Sequence, residues 1–151
     1  MTMTELDNYR QNIVRNFGAP NIIIVNEDVM LLNVENTDNR HAHGGVSWIN
    51  YWRSIAGKYA HVMCCSSCGK ELFVGEPTFE QKVDWELENE TIEEHEAQGG
   101  HVWWYDCIDA RRTGLYITPL CPACNGKHGQ RIPIRAGSIL CREVGANVTT
   151  E

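Results

Sequence analysis

Four of the chain's seven cysteines stand in two Cys-x-x-Cys pairs, Cys65-Ser66-Ser67-Cys68 and Cys121-Pro122-Ala123-Cys124. Two such pairs are the expected ligand set of a tetrahedral structural zinc, because a two-residue spacing lets one tight turn aim both thiolates at a single ion. A redox dithiol or a disulfide needs only one pair, so the presence of two favours Zn2+ held by Cys65, Cys68, Cys121 and Cys124. Gly69 follows the first pair and suits a knuckle that needs a residue at positive φ. The second pair differs in kind. Leu115-Tyr116-Ile117-Thr118 before it reads as a strand, and Pro122 sits where a first helical turn tolerates proline. The expectation is a knuckle, a hairpin and a helix N-terminus closing on one ion, which is the plan of a treble-clef zinc finger. The stretch between Cys68 and Cys121 exceeds the roughly 15–20 residues of an ordinary zinc ribbon, so an insertion must interrupt the finger.

The elements that must position these thiols can be read from local patterns. Leu6, Tyr9, Ile13 and Phe17 fall at near-helical spacing after Thr4, and Gly18 and Pro20 stop that run. Asn21 to Val25 and Val29 to Leu32 read as two strands about a turn at Asn26-Glu27-Asp28, predicting a β-hairpin. Residues 1–45 form an N-terminal helix and hairpin extension on this reading, and residues 46–151 form the zinc-binding domain. Ser47 caps a short helix that turns Trp48, Tyr51, Trp52 and Ile55 inward. His61 to Cys64 and Glu71 to Val74 are expected strands entering and leaving the knuckle. Thr78-Phe79-Glu80-Gln81 has capping-box spacing and predicts a helix over 79–97 ended by Gly99-Gly100. His101 to Tyr105 and Leu115 to Thr118 are the expected finger hairpin. A short helix then carries Asn125 and His128, and strands at 131–135 and 139–144 close the chain.

Composition limits the classes. At 151 residues and 42% hydrophobic content the chain can bury a core, and no apolar run approaches membrane-spanning length. The first residues, Met1-Thr2-Met3-Thr4-Glu5, lack the basic and apolar parts of a secretory signal. Together with an odd cysteine count these features imply a reduced, cytoplasmic protein whose remaining Cys64, Cys107 and Cys141 are buried thiols. The net charge of −7 is local in origin. Residues 71–100 hold ten acids against Lys82 alone, a charge of −9, which leaves the rest of the chain at +2. This acidic insertion, 76–98, is expected to be a solvated excursion.

A hairpin followed by a helix and held by two cysteine pairs resembles the HNH (ββα-metal) branch of the treble-clef proteins. More narrowly, it is similar to small bacterial and phage proteins sharing short motifs. Here these motifs read Ser47-Trp48-Ile49-Asn50-Tyr51-Trp52, Gly100-His101-Val102, Tyr116-Ile117-Thr118-Pro119-Leu120-Cys121-Pro122-Ala123-Cys124-Asn125 and Gly145-Ala146-Asn147-Val148. The resemblance implies an α+β fold with a zinc-stabilised core. For an HNH endonuclease it implies His101 as general base, with Asn125, supplemented by His128, on a second divalent metal. The chain departs from that pattern at two places. Gly100 stands where a metal-binding Asp or His belongs, and Ile108 to Gly114 contains no Asn to orient the histidine. These departures favour a non-catalytic binding module over the nuclease.

Other residues could meet a partner. Trp103-Trp104-Tyr105 alternates along a strand, so one aromatic enters the core and another is exposed. Beside it, Arg111 and Arg112 mark the hairpin tip, and Lys127 adds a cation near the finger helix. The expected partner is a protein or a nucleic acid, with no membrane and no small-molecule cofactor. A third reading uses the acidic insertion as a nucleic-acid mimic that inhibits a binding protein. His41 and His43 read as members of a solvated loop.

Overall fold

The computed structural model describes residues 22–34, 47–56 and 63–143. The expected helix over 4–17, the residues around His41 and His43, and the C-terminal Gly145-Ala146-Asn147-Val148 motif lie outside them. The described chain is mixed α/β, with three helices and one six-stranded antiparallel sheet. The strands are β1 (Ile22–Ile24), β2 (Val29–Asn33), β3 (Gln98–Trp104), β4 (Gly114–Leu120), β5 (Arg131–Ile134) and β6 (Ile139–Arg142). Their order across the sheet is β1-β6-β4-β3-β2-β5.

The expected N-terminal hairpin is not formed. Both strands exist, but β1 pairs with β6, whereas β2 lies between β3 and β5. A hairpin turn would have made β1 and β2 neighbours; instead four strand spacings separate them. In a flat sheet that distance is about 19 Å, and the four residues Val25–Asp28 extended could reach only about 17 Å. The link from β5 to β6 through Arg135–Ser138 faces the same shortfall, so the sheet must curl to bring its ends together. The two links are bonded to each other at that closure. Val25 N–H donates to the Ser138 carbonyl at 2.9 Å, Gly137 N–H to the Val25 carbonyl at 2.6 Å, and Ala136 N–H to Asp28 Oδ1 at 2.8 Å. The first residues of the described chain are therefore integral to the sheet, not an appendage.

Curling gives the sheet an inner and an outer face, and the period-2 alternation of the strands assigns side chains to each. Ile23, Leu31, Val102, Tyr116, Leu120, Ile132, Ile134 and Leu140 fill the inside, joined by Cys65, Cys121 and Cys124 at one end. The outer residues Ile22, Ile24, Ile117, Ile139 and Cys141 are covered by α1 (Trp48–Ala56). As expected, Ser47 Oγ accepts from Asn50 N–H and starts this helix. Trp48, Ile49, Trp52 and Ala56 fall on one face and are buried. Trp52 Nε1 donates to the Ile139 carbonyl at 2.9 Å and Tyr51 Oη to that of Arg142 at 2.6 Å, which fixes α1 against β6. Gly99 makes the close approach of α1 to β3 feasible, because a Cβ there would stand 2.7 Å from Trp48 Cβ. Its role is thus packing within a strand, and it does not end a helix as the sequence suggested.

The acidic insertion also differs from expectation. Its helix, α2 (Phe79–Leu87), has the predicted capping box: Gln81 N–H donates to Thr78 Oγ1 and Thr78 N–H to Gln81 Oε1. The helix stops at Glu88, ten residues short of the expected glycines, because Asn89 takes a φ of +59° that no α-helix accommodates. A single 3-10 turn, Glu93–His95, then leads into β3. The strands expected at 61–64 and 71–74 reduce, among described residues, to two isolated bridges, Cys64 to Glu71 and Phe73 to Glu96.

Candidate metal centre

Cys65, Cys68, Cys121 and Cys124 converge, with their four sulfur atoms all within 4.8 Å of one another. The first pair sits in a tight turn. Cys65 N–H donates to the Lys70 carbonyl at 2.8 Å and Gly69 N–H to the Cys65 carbonyl at 2.9 Å, with Gly69 at φ +83° as the spacing anticipated. The second pair opens the one-turn helix α3 (Pro122–Asn125), where Cys121 is the N-cap and its sulfur accepts from Cys124 N–H. Cys68 Sγ and Cys121 Sγ are 3.8 Å apart, nearly twice a disulfide length, so these are four separate thiols.

The four thiols are coupled electrostatically. Burial raises the pKa of Cys68 and Cys124, and the nearby Cys65 thiolate raises both further. Burial acts the same way on Cys65, but backbone N–H groups of Cys68, Cys121 and Ser67 outweigh it and lower that thiol. Ionisation of one of these thiols opposes ionisation of its neighbours, a conflict that a bound cation would remove. The group could therefore hold one metal ion. Cys64, expected to be buried, is exposed and outside the cluster. Cys107 is exposed too, so of the three spare cysteines only Cys141 is the buried thiol expected, its pKa raised by burial.

The sheet and two loops hold the cluster in place. Ser66 N–H donates to the Pro119 carbonyl at 2.9 Å, Arg135 N–H to that of Ser66 at 2.8 Å, and the Ser66 and Thr118 hydroxyls are 2.5 Å apart. From β2, the fully buried Asn33 sends Nδ2 to the carbonyls of Cys124 (3.2 Å) and Asn125 (3.0 Å). Asn33 was not among the sequence candidates. No motif marks it, and only the pairing of β2 with β3 brings it under α3.

His101 and Asn125 do not meet. His101 pairs with Ile117 on the outer face, beneath α1, where its ring lies edge-on to Trp48 at 5.1 Å. Its Nε2 is 3.2 Å from Glu143 Oε2, with both side chains buried. Gln98 and Gly100 point to the inner face, and there Asn125 Nδ2 donates to Gln98 Oε1 at 2.8 Å. The backbone of β3 therefore separates the two groups assigned to one catalytic metal. His128 lies beyond α3 in the following turn.

The residues expected to meet a partner separate sharply. Arg112 is buried: its Nε bonds Asp106 at 3.2 Å, its guanidinium reaches the Ile22 carbonyl, and its backbone carbonyl accepts from Tyr116 Oη. It ties the hairpin tip to β1 and is not a surface cation. Arg111 is exposed, although Asp109 forms a two-contact pair with it at 3.0 Å. Trp104 packs against the inner core with Nε1 on Asp106, while Trp103 is 43% exposed, the division that alternation predicted. Lys127 is exposed next to α3. Trp103 lies directly between Leu32 on β2 and Leu115 on β4, and Met30 follows Leu32 opposite Pro133 of β5.

Among described residues no helix is long and apolar enough to cross a membrane. Comparisons with protein-family models, with curated proteins and with solved structures return no match, so the chain's own geometry carries every functional argument that follows.

Proposed function

We propose that this chain is a zinc-stabilised binding module of treble-clef form, whose exposed sheet face docks a protein. The zinc assignment rests on the sulfur geometry. Tetrahedral coordination at about 2.3 Å from zinc to sulfur requires a sulfur–sulfur edge of roughly 3.8 Å, and Cys68 and Cys121 stand at 3.8 Å. Knuckle, β3–β4 hairpin and helix N-terminus follow one another in treble-clef order, with α3 shortened to one turn. Four thiolates fill a tetrahedral shell, leaving no position for substrate, which makes the ion structural.

The binding assignment rests on one observation: a continuous apolar band of Met30, Leu32 and Trp103, with Pro133 and Leu115 beside it, on sheet that α1 does not cover. Tyr105 and Ile108 extend it along the exposed hairpin tip. Aromatic and aliphatic side chains in register are typical interface anchors. Arg131, paired with Leu32, is the cation within the band, so the surface suits a protein better than a phosphate backbone. The opposite-face placement of His101 and Asn125 favours binding over hydrolysis.

A photo-crosslinking residue at position 103 in the metal-loaded chain tests this. A discrete protein adduct, lost on adding Leu32→Asp while zinc content stays unchanged, is the expected result. A nucleic-acid adduct, or a protein adduct indifferent to Leu32→Asp, would overturn it.

A further inference from the structure

We infer that α2 is a second docking element, whose outward ridge of Phe79, Val83 and Leu87 enters an apolar groove rimmed by lysine and arginine on a partner protein. At about 100° per residue the three side chains span an arc of about 80°, and Trp85, the one buried residue of the helix, points about 160° from the arc's centre. The helix therefore uses its smaller aromatic face to hold itself and leaves its larger apolar face in water. Phe79 is 79% exposed and Leu87 77%. Such spacing is how an amphipathic helix is read by a groove.

The charges bordering the ridge select the occupant. Glu80 and Asp84 flank it on one side and Glu86 on the other, all exposed, with Lys82 the helix's single cation. A nucleic-acid backbone or an anionic lipid surface would meet these carboxylates with like charge. A second copy docking ridge to ridge would do the same. A protein groove rimmed by cations satisfies both the apolar ridge and its acidic border. This surface is separate from the Trp103 band and does not depend on it.

The test uses the full, metal-loaded chain and a synthetic helical-hairpin peptide whose interhelical groove is lined by leucines and rimmed by lysines. Backbone amide shifts on titration should map to 79–88, and affinity should fall about tenfold or more in the double variant Phe79→Ser with Leu87→Ser. A peptide with glutamate replacing each lysine should not bind, and added salt should weaken the lysine peptide. Trp103→Ser should leave this affinity unchanged, which separates the ridge from the sheet band. Both ridge residues are exposed, so the double variant should keep the protection of the β3–β4 amides. Should α2 itself unfold in that variant, Asp84→Lys with Glu86→Lys provides the same test. Shifts confined to other regions, unchanged affinity in both double variants, or equal binding of the glutamate peptide would overturn the inference. Engagement of residues 79–88 by duplex DNA or by self-association would do so as well.

Discussion

The thiol cluster and the acidic excursion are neighbours, yet they are held by opposite means. The cluster is embedded. Three of its cysteines are buried, backbone hydrogen bonds reach it from β4 and from the β5–β6 link, and Asn33 reaches it from β2. Within the excursion, the helix α2 is held by one aromatic stack and by a hydrogen bond from Gln81 Nε2 to Glu71 Oε2 at 2.7 Å. Trp85 lies parallel to His95 at 3.9 Å and leans on Phe73 at 5.8 Å, while most of its charged neighbours point to water. His95 is fixed in turn, with Nδ1 2.7 Å from the Glu71 carbonyl and Nε2 3.0 Å from Glu90. A cluster of like-charged ligands needs support from several elements plus an ion. A solvated acidic helix needs far less: one buried ring and a hydrogen bond hold α2, and most of its surface stays in water.

The comparison breaks most completely at the cluster. Structural zinc contributes about 10–16 kcal/mol in finger peptides, comparable to or larger than the roughly 5–15 kcal/mol that stabilises a whole domain. Cys121→Ser, or removal of the ion by a strong chelator, should therefore abolish cooperative unfolding. Elemental analysis should find about one zinc per wild-type chain. A metal-free protein with an unchanged thermal transition would show that the sheet does not need the ion.

Trp85→Ala should produce the next largest effect, but a local one. Removing a buried tryptophan costs about 3–5 kcal/mol, and here the loss falls on α2, which contacts the rest of the molecule mainly through that ring. Hydrogen exchange should show amides 79–87 deprotected while those of β3 and β4 stay slow. Simultaneous loss of the sheet amides would mean that the excursion supports the main core.

Asn33→Ala ranks third. It strips donors from two carbonyls beside the cluster, at about 1–3 kcal/mol for buried polar groups left unpaired. The expected outcome is a lowered transition temperature together with faster zinc loss to chelator. A lowered temperature with unchanged metal release would confine Asn33 to a role in the sheet.

These three sites show why the sequence was legible in some places and opaque in others. The cysteine pairs, the Ser47 cap and the β3–β4 hairpin depend on residues a few positions apart, so spacing alone locates them. Asn33 acts across ninety-one residues on Cys124, and β2 pairs with β5 across about a hundred; neither leaves a local trace. The short link after β1 reads as a hairpin turn because only the curl of the sheet shows otherwise. Phe79, Val83 and Leu87 fall at helical spacing, but nothing local to them says which face of the helix packs, and it is Trp85, outside that row, that is buried. Arg112 reads as a surface cation until Asp106, six residues earlier, is seen to bury with it.

The smallest expected effect comes from the contact that joins the two regions directly, Lys70 Nζ to Glu94 Oε1 at 3.3 Å. Lys70 follows the knuckle and Glu94 belongs to the excursion, so this pair offers a charge-based rival to the Trp85 anchor. The Thr91 N–H and hydroxyl, and then Lys70, lower the Glu94 pKa. On Lys70, partial burial pulls the value down, but the Glu94 carboxylate outweighs it and raises it. A lowered carboxylate stabilises the fold above its ordinary range and loses that contribution as pH falls through the folded value. A raised ammonium contributes below its ordinary range and loses that contribution as pH rises through its folded value. The pair is therefore fully formed at neutral pH, where its worth is easiest to measure. Both side chains are substantially exposed, at 25% and 42%, so water and salt screen their attraction. Lys70→Met should leave the unfolding transition and zinc content unchanged and only modestly speed amide exchange in the 93–95 turn, a difference that disappears in high salt. If Lys70→Met instead deprotected 79–87 as fully as Trp85→Ala does, the excursion would be moored by charge, and its attachment to the cluster would be tuned by ionic strength.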